Sequence, residues 1–397
     1  MTDPRLSELR VALVHDWLTG RRGGERVLEV LLGLFPRAEI FTLVHVPGAV
    51  PAVEERPIHA SWLSRLPAAG RVFPLGFPLF HQAMGRLELS GFDLVLSVSH
   101  CAAKNVLPPA GVPHLCYCLT PARYAWDLFD EYLDRALGPV APLARPFAAR
   151  VRDRWREQDR RRAESLTAIA GISNYIRARI ARCYGREAEL IYPPVEVARF
   201  ATAGRAATPG ERFLAVAALR PNKRLELIAE VFAARGLPLD IVGPAAPAAL
   251  TRLRRRFQDS SVTLHGEVED ERLVELVAGC RAFVHAADED FGIAPVEAMA
   301  AGRPVIAYGD CGVGETVLDA DSVADATGVL FERPDFEGLD AALDRFLVFE
   351  STLRPEACRA RARLFDRPVF EDAMRAWVTA ALAMTGTTTA APLSEAR

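Results

Sequence analysis

Short apolar runs alternate with helically periodic stretches along most of the chain. Val11–Val14 is an apolar run stopped by His15 and Asp16, as expected of a short buried strand. A loop with Gly20, Gly23 and Gly24 follows, and helical periodicity then runs from Glu25 to Leu34. Ile40–Val44, Phe92–Val98, His114–Cys118 and Ala168–Ile172 read as further strands, and Tyr175–Tyr184 as a helix ended by Gly185. The second half repeats the alternation. Phe213–Ala217, Leu239–Val242, Val262–Leu264, Ala282–Ala286 and Pro304–Ala307 are its strands, and Arg224–Arg235 and Pro295–Ala301 its helices. The last helix has Pro in its first turn and Gly302 after its end. This pattern predicts an α/β protein with two parallel sheets, each covered by helices.

Between the halves, Ile191-Tyr192-Pro193-Pro194-Val195 stops all periodicity, and residues 201–211 are small, polar and Gly-containing, as in an inter-domain connection. The expected division is an N-terminal domain over 1–198, a C-terminal domain over 199–370, and a helix with a flexible tail over 371–397. Ligands of such sheets bind beyond the carboxyl ends of the strands, and two domains facing each other place a site in the cleft between them.

Two stretches break the pattern. Residues 62–87 mix Trp62, Leu63, Phe73, Phe77 and Phe80 with Arg65, Arg71 and Arg86, and prolines interrupt any long helix. Residues 150–162 carry seven Arg and three acids around Val151 and Trp155. Together they suggest a membrane surface as a partner, with apolar side chains in the interface and Arg on anionic headgroups. The alternative is ordinary core contacts beneath a solvated face.

Composition narrows the function classes. With 48 Lys+Arg against 51 Asp+Glu, a dedicated nucleic-acid binder is not expected. The seven cysteines lack C-x-x-C spacing and read as core thiols in a reducing compartment. No window approaches the ~18 apolar residues of a membrane span, and Met1–Arg10 mixes acids and bases unlike a signal peptide. The expectation is a cytoplasmic protein, with peripheral attachment to the inner face of the cell membrane added by the apolar–basic stretches. Only Lys104 and Lys223 are lysines; the other 46 basic residues are Arg. A position that keeps Lys is therefore a candidate for a compact, flexible ammonium.

The densest constellation is Glu289-Asp290-Phe291-Gly292-Ile293-Ala294-Pro295-Val296-Glu297, between a strand and a helix. Gly292 lets the chain turn sharply, and the amides before the helix form a diphosphate cradle. Glu297, read in the first helical turn, is favoured by the dipole and can accept hydrogen bonds from a ribose diol. Lys223, in a strand-to-helix loop after Pro221-Asn222, can neutralise a leaving diphosphate. Ser99-His100 ends a strand, but adjacent strand residues point apart, which excludes a hydrolase dyad. No G-x-S-x-G and no P-loop occur. Asp288-Glu289-Asp290 and Asp319-Ala320-Asp321 match D-x-D, a metal pattern too short to weigh much; no metal is expected.

The Glu-x7-Glu segment, with Phe-Gly inside it and Glu-Ala-Met-Ala-Ala-Gly-Arg-Pro-Val-Ile-Ala following, resembles the signature of family-4 retaining glycosyltransferases. Ile191–Val195 resembles that family's inter-domain segment, and Pro221-Asn222-Lys223-Arg224 its phosphate-binding loop. Val11–Leu18 with Gly23-Gly24-Glu25, and Cys116-Tyr117-Cys118 running on to Asp127, are similar to a bacterial subgroup that includes O-antigen mannosyltransferases. The resemblance spans about residues 10–380. It implies the GT-B arrangement of two Rossmann-like doubly wound domains, a nucleotide-sugar donor and no cofactor. Glu289 would then lie by the donor sugar and Glu297 would hold the ribose. The backbone of Phe291, Gly292, Ile293 and Ala294 would hold the diphosphate with Lys223, and Gly23 and Gly24 would also serve the donor. His100 would face the sugar. The family's Arg falls on Ala218, so Arg220 is the substitute cation. A Gly pair often stands where Cys311-Gly312-Val313-Gly314-Glu315 does, and His where Leu119 does.

The function implied is retaining transfer of a sugar, with mannose from GDP-mannose favoured, to a saccharide or lipid-linked saccharide in cell-surface polysaccharide synthesis. The rivals are a nucleotide-sugar epimerase of the same fold and a non-catalytic nucleotide-sugar-binding protein.

Overall fold

The computed structural model describes residues 4–386, which divide into two compact units. One runs to Tyr192 and resumes at Phe370; the other is Pro193–Val369. The first is built on β1 (Val11–Leu18), β2 (Glu39–His45), β3 (Ile58–Ala60), β4 (Leu94–Ser99), β5 (His114–Cys118), β6 (Ala168–Gly171) and β7 (Glu189–Leu190). They form one parallel sheet in the order β3-β2-β1-β4-β5-β6-β7. The second unit carries β8 (Phe213–Val216), β9 (Leu239–Val242), β10 (Val262–Gly266), β11 (Phe283–His285), β12 (Val305–Tyr308) and β13 (Gly328–Phe331), parallel and ordered β10-β9-β8-β11-β12-β13. Both sheets are Rossmann-like. The strand order reverses between β1 and β4 in one and between β8 and β11 in the other, and the carboxyl ends beside such a reversal are where doubly wound sheets bind ligands.

The central strands β1, β4 and β5 are buried along their whole length, which is why their sequences read as continuous apolar runs rather than alternating ones. All seven cysteines are buried and unpaired, and those at 116 and 118 sit on β5.

The structure corrects three expectations about local structure. Strand β1 does not stop at Val14: it continues through His15 and Asp16, both fully buried, because partners from elsewhere in the chain satisfy them. Residues 201–211 do not form a plain connection, since Val197–Ala206 is a helix. Its small residues serve close packing: a Cβ on Gly204 would lie 2.0 Å from the Ala301 carbonyl oxygen. Residues 62–87 fold into short helical turns whose Leu63, Phe80, Ala83 and Met84 enter the core, so much of that stretch's apolar character is packing rather than surface.

Arg367–Met384 is a helix; the flexible tail expected beyond it lies, from residue 387 on, outside the described residues. No helix among the described residues is long and apolar enough to cross a membrane.

Candidate active site

Each unit gathers chemistry-bearing side chains where its strand order reverses. In the Pro193–Val369 unit, Lys223 follows β8 in the short turn Pro221–Lys223, and Glu289 follows β11. Neighbouring strands thus deliver them to one place, where Lys223 Nζ donates to Glu289 Oε1 at 2.5 Å. His285, at the end of β11, has Nε2 3.8 Å from the same carboxylate oxygen. Burial pulls the His285 pKa down, the Lys223 ammonium adds to this, and Glu289 opposes it, so the ring is neutral at physiological pH.

Gly292 caps the helix Ile293–Ala300 in the left-handed region at φ 84°, and a Cβ there would meet Val313 Cγ2 at 2.6 Å. Only glycine fits both constraints. The helix therefore starts at Ile293, two residues before the sequence reading. Its first amides have no intrahelical acceptor, and Pro295 contributes none. Those of Ile293 and Ala294 remain for an anion, whereas the Val296 amide makes the first bond within the helix, to the Gly292 carbonyl. The Phe291 side chain is buried edge-on against Phe365 and so belongs to the core of this unit. The earlier start also corrects the reading of Glu297. It is not in the first turn, where no acid stands, but one turn further in and 9% exposed, so the dipole argument does not apply to it.

The loop after β12 abuts this segment. Gly312 N donates to Glu289 O at 2.8 Å, and a Cβ on Gly312 would lie 2.1 Å from Asp290 O. Single glycines at 292 and 312 thus secure the approach expected of a Gly pair. The D-x-D at 319–321 is committed elsewhere: Arg345 pairs with Asp319 at 2.9 Å and with Asp321. Among the described residues no group of three His, Cys, Asp or Glu is arranged to hold a metal ion.

Arg220 is exposed, and its guanidinium makes no ion pair among the described residues. Sequence reasoning missed Arg224 as a site residue. It occupies the left-handed region at φ 52°, donates Nη1 to Ala286 O at 3.1 Å, and lies over the Tyr308 ring at 5.7 Å. A long side chain held in that conformation between β8 and β11 is a second cation beside Lys223. No spacing signals it, because only the backbone angle is unusual.

In the other unit, Asp16 is the hub. Fully buried on β1, it accepts backbone N–H groups from His100 (2.5 Å), Cys101 (3.0 Å), Ala102 and Ala103 (2.7 Å). His100 Nδ1 lies 2.7 Å from Asp16 Oδ2, and the half-buried ring packs edge-on to Trp17. Burial raises the Asp16 pKa, but the two histidines and these donors outweigh it and hold the carboxyl well below the usual range. Burial pulls His100 down, Asp16 and Glu25 outweigh that, and its pKa is raised.

Gly23 and Gly24 open the helix Gly23–Leu34. A Cβ on Gly24 would meet Leu119 Cδ1 at 3.0 Å and His15 Cε1 at 3.1 Å, so Gly24 brings the helix start against β1. Glu25 accepts from Arg22 N at 3.0 Å and lies 3.6 Å from His15 Nε2. Asp16 and Glu25 were not candidates in the sequence: His15 and Asp16 looked like the end of a strand.

Two parallel sheets with this strand order, in one chain, are the GT-B fold. Similar solved structures include HepE from Anabaena in complex with UDP (16% identity, 94% of this chain, 100% of that chain, TM-score 0.65). WaaG, a glycosyltransferase involved in lipopolysaccharide biosynthesis, is another (16%, 95% and 100%, TM-score 0.59). The catalytic domain of starch synthase IV from Arabidopsis thaliana, bound to ADP and acarbose, is a third (13%, 94% and 99%, TM-score 0.60). No curated protein matches in sequence. Residues 202–364 match the family described as Glycosyl transferases group 1. The matched segment holds Lys223, Glu289 and Glu297, and the family match together with the structural neighbours indicates a glycosyltransferase.

Proposed function

We propose that the protein moves a sugar from a nucleoside diphosphate donor to a saccharide or lipid-linked saccharide with retention of configuration, without a metal or cofactor. The observation that carries this is the Lys223–Glu289 pair at 2.5 Å beside the open N-terminus of Ile293–Ala300. In the absence of donor, the ammonium is neutralised by the carboxylate. A bound diphosphate offers a stronger partner: the ammonium and the Ile293 and Ala294 amides then meet the charge that grows as the sugar–phosphate bond breaks. Glu289, released, turns to the donor sugar, and Glu297 accepts hydrogen bonds from the ribose. Arg220 is the second cation of the sequence reading, with Arg224 beside it. Gly23 and Gly24 serve the donor, and His100 is assigned to the sugar on the strength of the resemblance. The leaving phosphate takes the proton of the incoming hydroxyl on the same face, so the protein supplies position and charge rather than a separate base.

GDP-mannose is the donor that the opening segment favours, with cell-surface polysaccharide as the destination. HepE is solved with UDP and with UDP-glucose, which makes both nucleotides part of the test. The test is a donor panel of GDP-mannose and UDP-glucose, with and without a saccharide acceptor, read by mass spectrometry and by the one-bond C1–H1 coupling of the anomeric centre in NMR. An α-linked product formed only with acceptor is expected. A donor epimerised without acceptor, or a β-linked product, overturns the reading. Activity is expected to survive EDTA; complete loss restored by Mn²⁺ would return the metal reading to Asp288 and Asp290.

A further inference from the structure

Of the two lysines in the chain, Lys223 has a place in the transferase reading and Lys104 has none. Lys104 is 2% exposed. It sits in the short turn Ala103–Asn105, directly after the four amides that Asp16 holds. Its Nζ donates to Asp159 Oδ1 and to Cys101 O at 3.3 Å, and lies 4.9 Å from the centre of the Tyr184 ring. Burial works against the ammonium, but Asp159 outweighs it and the Lys104 pKa is raised. His81 Nε2 stands 3.9 Å from the same carboxylate oxygen. Burial pulls that ring down to about 3, with Lys104 and Arg162 adding to the effect, so it is neutral and the pair is one cation with one anion.

Asp159 lies fully buried on the helix Ala141–Glu164. Its other oxygen, Oδ2, accepts from Trp126 Nε1 at 3.0 Å. Lys104 belongs to the loop after β4 and Trp126 to the segment after β5. One carboxylate therefore joins the two loops that leave the carboxyl end of the sheet. The same helix clamps the second loop again: Arg156 Nε donates to Ala125 O at 2.7 Å and Nη2 to Trp126 O at 3.2 Å, with the guanidinium 5.2 Å from the Trp126 ring centre. The first loop carries His100, and the second begins with Leu119, whose side chain abuts Gly24.

Stability alone does not account for such a pair. Taking two charges out of water costs about as much as their attraction returns, and apolar side chains of like volume often serve a core equally well. What the pair adds is direction, since a charge-assisted hydrogen bond holds its two ends in one geometry. We infer that Lys104 and Asp159 are positioning residues: they tie the loop after β4 to the helix Ala141–Glu164 and so set where the His100 ring stands. Asp16 holds the start of that loop from β1, and Asp159 holds its end from the helix. The effect on turnover rests on the transferase reading; the placement of the ring does not.

Lys104→Met combined with Asp159→Asn tests this in the full-length protein. Met keeps the length of the side chain, and Asn keeps an acceptor for Trp126 Nε1. One positive and one negative charge leave together, so the net charge near His100 is unchanged. Asp16, Glu25, His15 and Arg22, the groups that act on its ring, all stay in place. A shift in the His100 titration, followed by NMR of the ring nitrogens, then reports movement of the ring away from Asp16. The His100 pKa is expected to fall back toward the ordinary ~6.5. Turnover falls about tenfold to a hundredfold through misplacement, while the Kd for UDP or GDP and the melting temperature change little. Should the double variant melt early, Asp159→Glu keeps both charges, displaces the carboxylate by one methylene, and moves the same two readouts. An unchanged His100 titration in whichever variant folds overturns the inference, with or without a fall in kcat. A shifted titration with wild-type kcat overturns the link to turnover. If the wild type turns over no donor, the transferase reading fails and the His100 titration still decides this one.

Discussion

The two clusters at the strand reversals are built in opposite ways. Around Asp16 everything is closed. The carboxylate is fully buried, and four backbone N–H groups and an imidazole crowd it. Around Lys223 the arrangement is open. The two side chains are 26% and 24% exposed and share one short hydrogen bond beside a helix N-terminus. A closed cluster fixes a backbone, because its charges are already compensated. An open pair can exchange one partner for a substrate at small cost, since a half-exposed ion pair contributes about 0–1 kcal/mol to stability. In the proposed function the first is a frame for His100 and the second a receptor.

The largest break in this comparison is Asp16→Ala, which strands the amides of residues 100–103 and the His100 ring. Losing one partner of a buried pair costs about 3–5 kcal/mol, read as a large fall in melting temperature. The pH dependence has a definite sign. The Asp16 pKa is depressed on folding, so its contribution is present above the unfolded value near ~3.9 and fades as pH falls through the folded one. His100 is raised, so its contribution is full below ~6.5 and fades as pH rises through its folded value. Asp16→Asn flattens the acid limb of a stability profile and lowers the His100 pKa seen by NMR. An unchanged His100 titration would break the frame.

At the open cluster, Glu289→Gln keeps shape and nucleotide affinity but removes the charge beside the reacting sugar. Loss of one such electrostatic contact costs roughly 2.7–4 kcal/mol, or 10²–10³ in kcat. Glu297→Ala acts on affinity instead, raising the nucleotide Kd about tenfold or more with kcat little changed, since the ribose is held alike in ground and transition states. Equal turnover in the first variant, or equal Kd in the second, contradicts the assignment.

Much of this frame was legible in the sequence. The strand alternation, the glycine at 292, the acids at 289 and 297 and the rare lysine at 223 could be read because each is local. What was missed is non-local or conformational. Asp16 looked like a strand breaker because the amides that neutralise it are 84 or more residues away. Glu297 was placed a turn too early because Gly292, rather than Pro295, starts the helix. The small residues at 201–206 read as linker because the helix they pack against lies far along the chain.

The smallest expected effect concerns the second cation. Arg220→Ala lowers kcat/KM about tenfold if Arg220 reaches the diphosphate, and Arg220→Lys loses part of that because Lys cannot copy the planar fork. Wild-type kinetics in both variants, with a loss in Arg224→Ala, would move the role to the side chain held over Tyr308.

The central claim is that the open pair is a diphosphate receptor. Isothermal titration of UDP and GDP into wild type and Lys223→Ala tests it most directly. The account predicts saturable binding of at least one nucleotide by the wild type, weakened about tenfold to a hundredfold in the variant as one charge-assisted contact is lost, with the melting temperature of the free protein nearly unchanged. Equal affinity in the two proteins, or no binding of either nucleotide by the wild type, would contradict it.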